Sequence, residues 1–320
     1  SGYVLSAAHL GVEKRKLALA VAARYFRLML PILVTCLIAW LLLKWGLMFN
    51  LSLPQTPVEP YLWFQDFYHF EASLWNAIRF STYDVFVKFN PKTSYNAILW
   101  TMRIELLGSF LIYGYLWLFR STEKVHWLLA LVATAILLVY KPLYACFLMG
   151  YLLAEINHKY AGGDLFGIAR STFTPRRSDV FFVTVFFLAA LLSTLFRQND
   201  QLEFLYATAL VFAVSQARPL KQFFTNCVSR YLGRISFPLY LIHLPILCSW
   251  SSYLYIKLPT MGVAVVTANM LNIFSTITLS LLAATLLLPM EKFSIRYSKK
   301  IGALLISPWI KNTAGLGRVG

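Results

Sequence analysis

Leu258-Pro-Thr-Met-Gly-Val-Ala-Val-Val-Thr-Ala-Asn-Met-Leu-Asn-Ile-Phe-Ser-Thr-Ile-Thr-Leu-Ser-Leu-Leu-Ala-Ala-Thr-Leu-Leu-Leu-Pro-Met290 runs for 33 residues without Lys, Arg, Asp or Glu. An α-helix needs ~20 apolar residues to cross a hydrocarbon core about 30 Å thick, and a run this long and uniform exceeds any soluble core helix. Residues 181–196 and 235–256 are equally free of those four residue types. Over all 320 residues, 59% are apolar and 13% charged, against roughly 25% charged in an ordinary globular domain. A soluble enzyme is excluded, and the fold class is all-α, a polytopic integral membrane protein. Cys36, Cys146, Cys227 and Cys248 lie in or beside apolar stretches and form no CxxC pair, so neither a disulfide framework nor a metal site is expected.

Working outward from that run, spans are expected near 28–49, 97–119, 127–140, 143–157, 180–196, 204–216, 237–256 and 261–288. The spans within 127–157 and at 204–216 are shorter than a full crossing. With 11–27 on the cytoplasmic side, 21 of the 29 Lys and Arg fall in inner loops and 6 in outer ones. That asymmetry is the positive-inside pattern, so the net charge of +16 needs no nucleic acid to explain it. The amino end, Ser1-Gly2-Tyr3-Val4-Leu5, reads as the closing turns of a helix whose beginning lies upstream, so a fragment or processed form is expected, with about 8–10 transmembrane helices in all. Residues 1–300 read as one transmembrane domain and 301–320 as a basic cytoplasmic tail. Between the first two spans, 50–96 is rich in Pro (Pro54, Pro57, Pro60, Pro91) and carries an aromatic run over 61–70, a composition suited to an external interfacial flap.

Glu105 lies deep in a span, in Trp100-Thr-Met-Arg-Ile-Glu105. With the outer end near Asn96, a rise of ~1.5 Å per residue puts it roughly 13 Å down, close to the midplane. An unpaired carboxylate there is costly, so it should face a polar cavity or a cation, which makes it a functional candidate. Arg103 is about 200° around the helix from it and can snorkel outward. Arg24 and Arg27, at i and i+3, share a face near the cytoplasmic end of the next span, beside Lys14, Arg15 and Lys16. Paired guanidinium forks suit a phosphorylated cytosolic ligand; plain positive-inside anchoring explains them equally well. His243 precedes Pro245 by two residues. It could move protons or bind substrate, or it could simply bridge helices. External His69, near Asp66 and Glu71, could touch an acceptor, whereas His9, His126 and His158 are ordinary solvated side chains at span ends. No Walker Gly-x4-Gly-Lys, GxGxxG, HExxH or GxSxG is present, which leaves ATPase, dinucleotide and metalloprotease chemistry without support.

Ser1-Gly2-Tyr3, Arg24-x-x-Arg27-Leu with Pro31, Leu99-Trp-Thr-Met-x-x-Glu105-x-x-Gly108-Ser109 and Leu232-Gly-Arg-Ile-Ser-Phe-x-Leu-Tyr-Leu-Ile-His243 occur in an order and spacing that resembles the acyltransferase-3 family of integral membrane acyltransferases. The resemblance covers essentially the whole chain. It implies transfer of an acyl group, usually acetyl, from cytosolic acyl-CoA to hydroxyls of glycans, lipid-linked sugars or other acceptors, in a bacterial inner membrane. Arg24 and Arg27 match the arginines held to bind the acyl-CoA phosphates, Glu105 the acid of the central cavity, and His243 a histidine of a late helix. The family's essential histidine lies on a helix preceding the residues given, so this chain alone is expected to be inactive. The expected partners are the lipid bilayer, acyl-CoA and a hydroxyl-bearing acceptor. A secondary transporter or flippase with Glu105 in its path, and a noncatalytic membrane scaffold, are the readings from other classes.

Overall fold

The computed structural model describes residues 1–53, 63–119, 125–159, 175–196 and 199–316. Among these residues every regular element is helical. Helices Lys14–Lys44, Ala97–Phe119, Arg177–Leu195, Cys227–Thr260 and Val265–Ser307 are long and apolar enough to cross a membrane. The three shorter spans expected from sequence are helices as well: Val125–Tyr140, Pro142–Lys159 and Asp200–Gln216. At 16 to 18 residues each they reach about 24–27 Å. The chain is an all-α, multi-pass membrane protein. Pro54, Pro57 and Pro60 of the outer segment, and the loop cations Arg120, Lys124, Arg170, Arg197 and Arg318, lie outside the described residues. The terminal helix Leu288–Leu316 takes in most of the tail.

The helices form two compact units, 1–21 with 107–231, and 22–106 with 232–320. The dividing points fall inside the helices Lys14–Lys44, Trp100–Phe119 and Cys227–Ile246.

In the first unit, helix Gly2–His9 packs on Pro142–Lys159. Small residues make this possible. A Cβ on Gly2 would stand 2.3 Å from the Phe147 carbonyl oxygen, and one on Gly150 would stand 2.4 Å from the Tyr3 nitrogen. A Cβ on Gly108 would meet the Phe147 ring at 2.5 Å, so two motif glycines flank one phenylalanine. Between helices in lipid no hydrophobic drive exists, and close backbone approach supplies the attraction. At the far end of the contact Asn157 donates to the Tyr3 hydroxyl and accepts from Gln216, each at 3.0 Å. Gly150→Val is therefore expected to abolish recovery of folded protein, because the clash is with backbone and nothing can swing aside. Gly114→Ala, where nothing lies within 4 Å, should be neutral or stabilise by up to about 1 kcal/mol. Thermal melting of detergent-solubilised protein checks both.

The second unit shows how proline is accommodated inside spans. Pro31 cannot donate to the Arg27 carbonyl one turn back, and buried Ser294 donates to that oxygen instead, at 3.0 Å. Pro245 likewise frees the Leu241 carbonyl, which accepts from the Asn96 side chain at 2.7 Å. Side chains from other helices thus restore the bonds that proline removes. The described parts of the segment between the first two long helices, 49–53 and 63–96, contain short helical turns around buried polar anchors. Asn50 donates to the carbonyls of Phe64 and Phe67, both at 2.9 Å, and the Tyr68 hydroxyl donates to the Tyr95 carbonyl at 2.9 Å. Burial pushes the Tyr68 phenol well above its ordinary pKa, so it stays a donor. Tyr68 also carries a φ of 69°, a left-handed conformation that a bulky residue adopts only when its surroundings hold it there.

Candidate functional site

Helix Lys14–Lys44 starts well before the expected span, so Arg24 and Arg27 lie within it rather than in a loop at its mouth. Arg24 is 7% exposed and its Nη2 donates to Glu105 Oε1 at 2.5 Å. Glu105, on helix Trp100–Phe119, is 23% exposed. This short charge-assisted bond answers the question the sequence posed, because each group is the counter-charge that makes the other's burial tolerable. Tyr25, the next residue, donates to the Thr82 carbonyl at 2.5 Å and sets its ring edge-on to Phe86. The segment around 80–87 is thereby tied to the helix that carries Arg24.

One turn before Glu105, Thr101 lies 2.5 Å from the Tyr240 hydroxyl. Tyr240 also donates to the Ile98 carbonyl, so the two hydroxyls and that carbonyl form one cluster. His243 follows Tyr240 by one turn, with ring centroids 6.1 Å apart. Its Nδ1 lies 3.2 Å from the Leu239 carbonyl, which can only accept, so a neutral imidazole here holds its proton on Nδ1 and its lone pair on Nε2. The structure thus brings Arg24 against Glu105 and links His243 to the same helix through Tyr240 and Thr101. Three motif segments meet within one unit.

The family model described as an acyltransferase domain matches residues 1–289. The chain belongs to the acyltransferase-3 family. Neither the curated proteins nor the solved structures include a match to it. In this acyltransferase the two arginines of the Arg-x-x-Arg motif have different surroundings. Arg24 is engaged by Glu105, whereas Arg27 is exposed and its charge acts on Glu291. Arg103 is exposed, as its angular separation from Glu105 anticipates. His69 is exposed too, with Nε2 donating to the Gln65 carbonyl at 2.8 Å.

A second buried pair in the acyltransferase went unread in the sequence. His126 Nε2 lies 2.6 Å from Glu155 Oε1, with side chains 12% and 16% exposed, and the Tyr115 hydroxyl donates to the His126 carbonyl. His126 is therefore no solvated loop histidine. Its signal was Glu155, a carboxylate near the end of an apolar span that needs a partner as Glu105 does.

Proposed function

We propose that this protein transfers an acetyl group from cytosolic acetyl-CoA to a hydroxyl of a glycan or lipid-linked sugar in a bacterial inner membrane. The observation that carries the reading is the ion pair of buried Arg24 with half-buried Glu105, set one turn from the hydroxyl pair Thr101 and Tyr240. The donor supplies a thioester carbonyl: the acceptor oxygen attacks it, the C–S bond breaks, and the hydroxyl proton passes by way of a base to the departing thiolate. Arg27, exposed, is the guanidinium available to the donor's phosphates. Arg24 bonds to Glu105 and fixes its direction, so the carboxyl group is aimed where the acceptor hydroxyl becomes acidic. His243 Nε2, with its tautomer set by the Leu239 carbonyl, has the lone pair a proton acceptor needs.

Calorimetric titration of acetyl-CoA into the full-length protein in nanodiscs tests the donor half. Arg27→Ala should raise Kd roughly ten- to a hundredfold, the equivalent of a charged hydrogen bond of about 1.5–3 kcal/mol. An unchanged Kd would remove Arg27 from the donor site.

A further inference from the structure

Within the same unit as the ion pair, the segment 70–95 forms an open cleft of about 340 Å³ lined by Phe70, Glu71, Asn76, Arg79, Phe80, Asp84, Thr93 and Tyr95. We propose that this cleft is the binding site for a neutral saccharide unit of the acceptor. The proposal rests on the O-acyl transfer reading above and adds to it a location and a set of residues.

The cleft has an aromatic floor and a polar rim. Phe80 and Tyr95 are buried and Phe70 half-buried, with ring centroids 5.1 Å apart for Phe70 and Tyr95 and 6.1 Å for Phe80 and Tyr95. The Tyr95 hydroxyl donates to the Ser73 carbonyl at 2.8 Å and accepts from the Ser73 amide at 3.1 Å, so the floor is fixed and its hydroxyl already satisfied. Above it the side chains of Glu71, Asn76, Arg79 and Thr93 are exposed, and they supply donors and acceptors of the kind that sugar hydroxyls match. The half-buried Phe70 ring, backed by the buried Phe80 and Tyr95 and rimmed by polar groups, suits the C–H face and the hydroxyl edge of a pyranose. Two carboxylates against one guanidinium leave the lining one negative charge in excess, which disfavours phosphate, and the polar rim disfavours an acyl tail. The volume is at the small end of ligand pockets, roughly 300–1,000 Å³, the scale of a sugar unit.

A local break in helix geometry builds the rim. Residues 79 and 84, five apart, would point about 140° from each other on an α-helix. Here Phe80–Asp84 is a π-helical turn, closed by the Val85 amide on the Phe80 carbonyl, and i, i+5 positions come together. Arg79 Nε lies 3.6 Å from Asp84 Oδ1, too far for a hydrogen bond, so a hydroxyl lying against both can accept from the first and donate to the second. Such turns recur at functional sites. The same turn carries Thr82, whose carbonyl holds Tyr25 next to Arg24, so the cleft wall and the ion pair are joined through adjacent residues.

Saturation-transfer NMR on the full-length protein in nanodiscs, without acyl-CoA, tests this with methyl α-glucoside, methyl α-galactoside, methyl α-rhamnoside and N-acetylglucosamine, and with glucose 1-phosphate as the anionic comparison. At least one neutral sugar should bind, and Arg79→Gln with Asp84→Asn, both conservative and on the rim, should raise its Kd tenfold or more. Phe70→Ala should do the same by removing part of the floor. No binding across the neutral panel, unchanged affinity in the variants, or tighter binding of glucose 1-phosphate would overturn the proposal. Thiol release from acetyl-CoA, followed separately in the same preparation, reports on acyl transfer itself, so failure of the saccharide site and failure of the transfer reading give different results.

Discussion

Glu105→Gln should lower acyl transfer by the full-length protein at least a hundredfold. Glutamine keeps the shape and can still accept from Arg24, but it removes the charge directed at the reacting hydroxyl, and losing one preorganised electrostatic contact of this kind costs about 10²–10³ in turnover. It also leaves Arg24, 7% exposed, without its counter-charge, and breaking a buried pair from one side costs about 3–5 kcal/mol of stability. The two effects can be separated. Replacing both partners together, Arg24→Met with Glu105→Leu, removes both buried charges and should restore most of the lost stability, since apolar residues of similar volume commonly substitute for buried pairs without penalty. Turnover should not return. Recovery of both would reduce the pair to a structural bond.

The second large effect should come from the other buried pair. His126→Leu leaves the Glu155 carboxyl, 16% exposed, with the Tyr151 hydroxyl but without the imidazole, at a cost of about 2–3 kcal/mol. The melting temperature should fall on the order of 10 °C. Glu155→Gln should cost less, because an amide can still bond the imidazole without burying an unpaired charge. In molecules that remain folded, turnover should stay near the wild-type value in both variants. A fall in turnover with melting unchanged would instead make His126 and Glu155 part of the reaction.

Spans are legible in this sequence because the bilayer demands length and apolarity together, and the run 258–290 satisfies both in a single reading. Glu105 was legible for the converse reason: a carboxylate far inside a span is so costly that it must be compensated. Its partner was not. Helical periodicity tells which face Arg24 occupies, but an ion pair between residues 81 positions apart depends on how helices pack, which one sequence does not encode in any local signal. Lys14, Arg15, Lys16 and Arg24 also looked like loop charges, although the Lys14–Lys44 helix includes them all. His126 was passed over because a histidine at a span end is ordinarily solvated, and only its proximity to Glu155 reveals otherwise. Pro54, Pro57 and Pro60 of the segment 50–96 lie outside the described residues, and its anchors Asn50 and Tyr68 bond to main-chain carbonyls and leave no periodic trace. The π-helical turn at Phe80–Asp84 differs from an α-helix by one residue per turn, a difference that composition does not announce.

The measurement that bears most directly on the Arg24–Glu105 pair is transfer of radiolabelled acetyl from acetyl-CoA to a membrane or glycan fraction by the full-length protein in proteoliposomes. Wild type, Glu105→Gln and the double replacement of Arg24 and Glu105 should be compared at equal amounts of folded protein. The expected result is label transfer by the wild type and at most a hundredth of that rate in either variant, with the double replacement melting near the wild-type temperature. Transfer by Glu105→Gln at the wild-type rate would contradict a role for this ion pair in the chemistry.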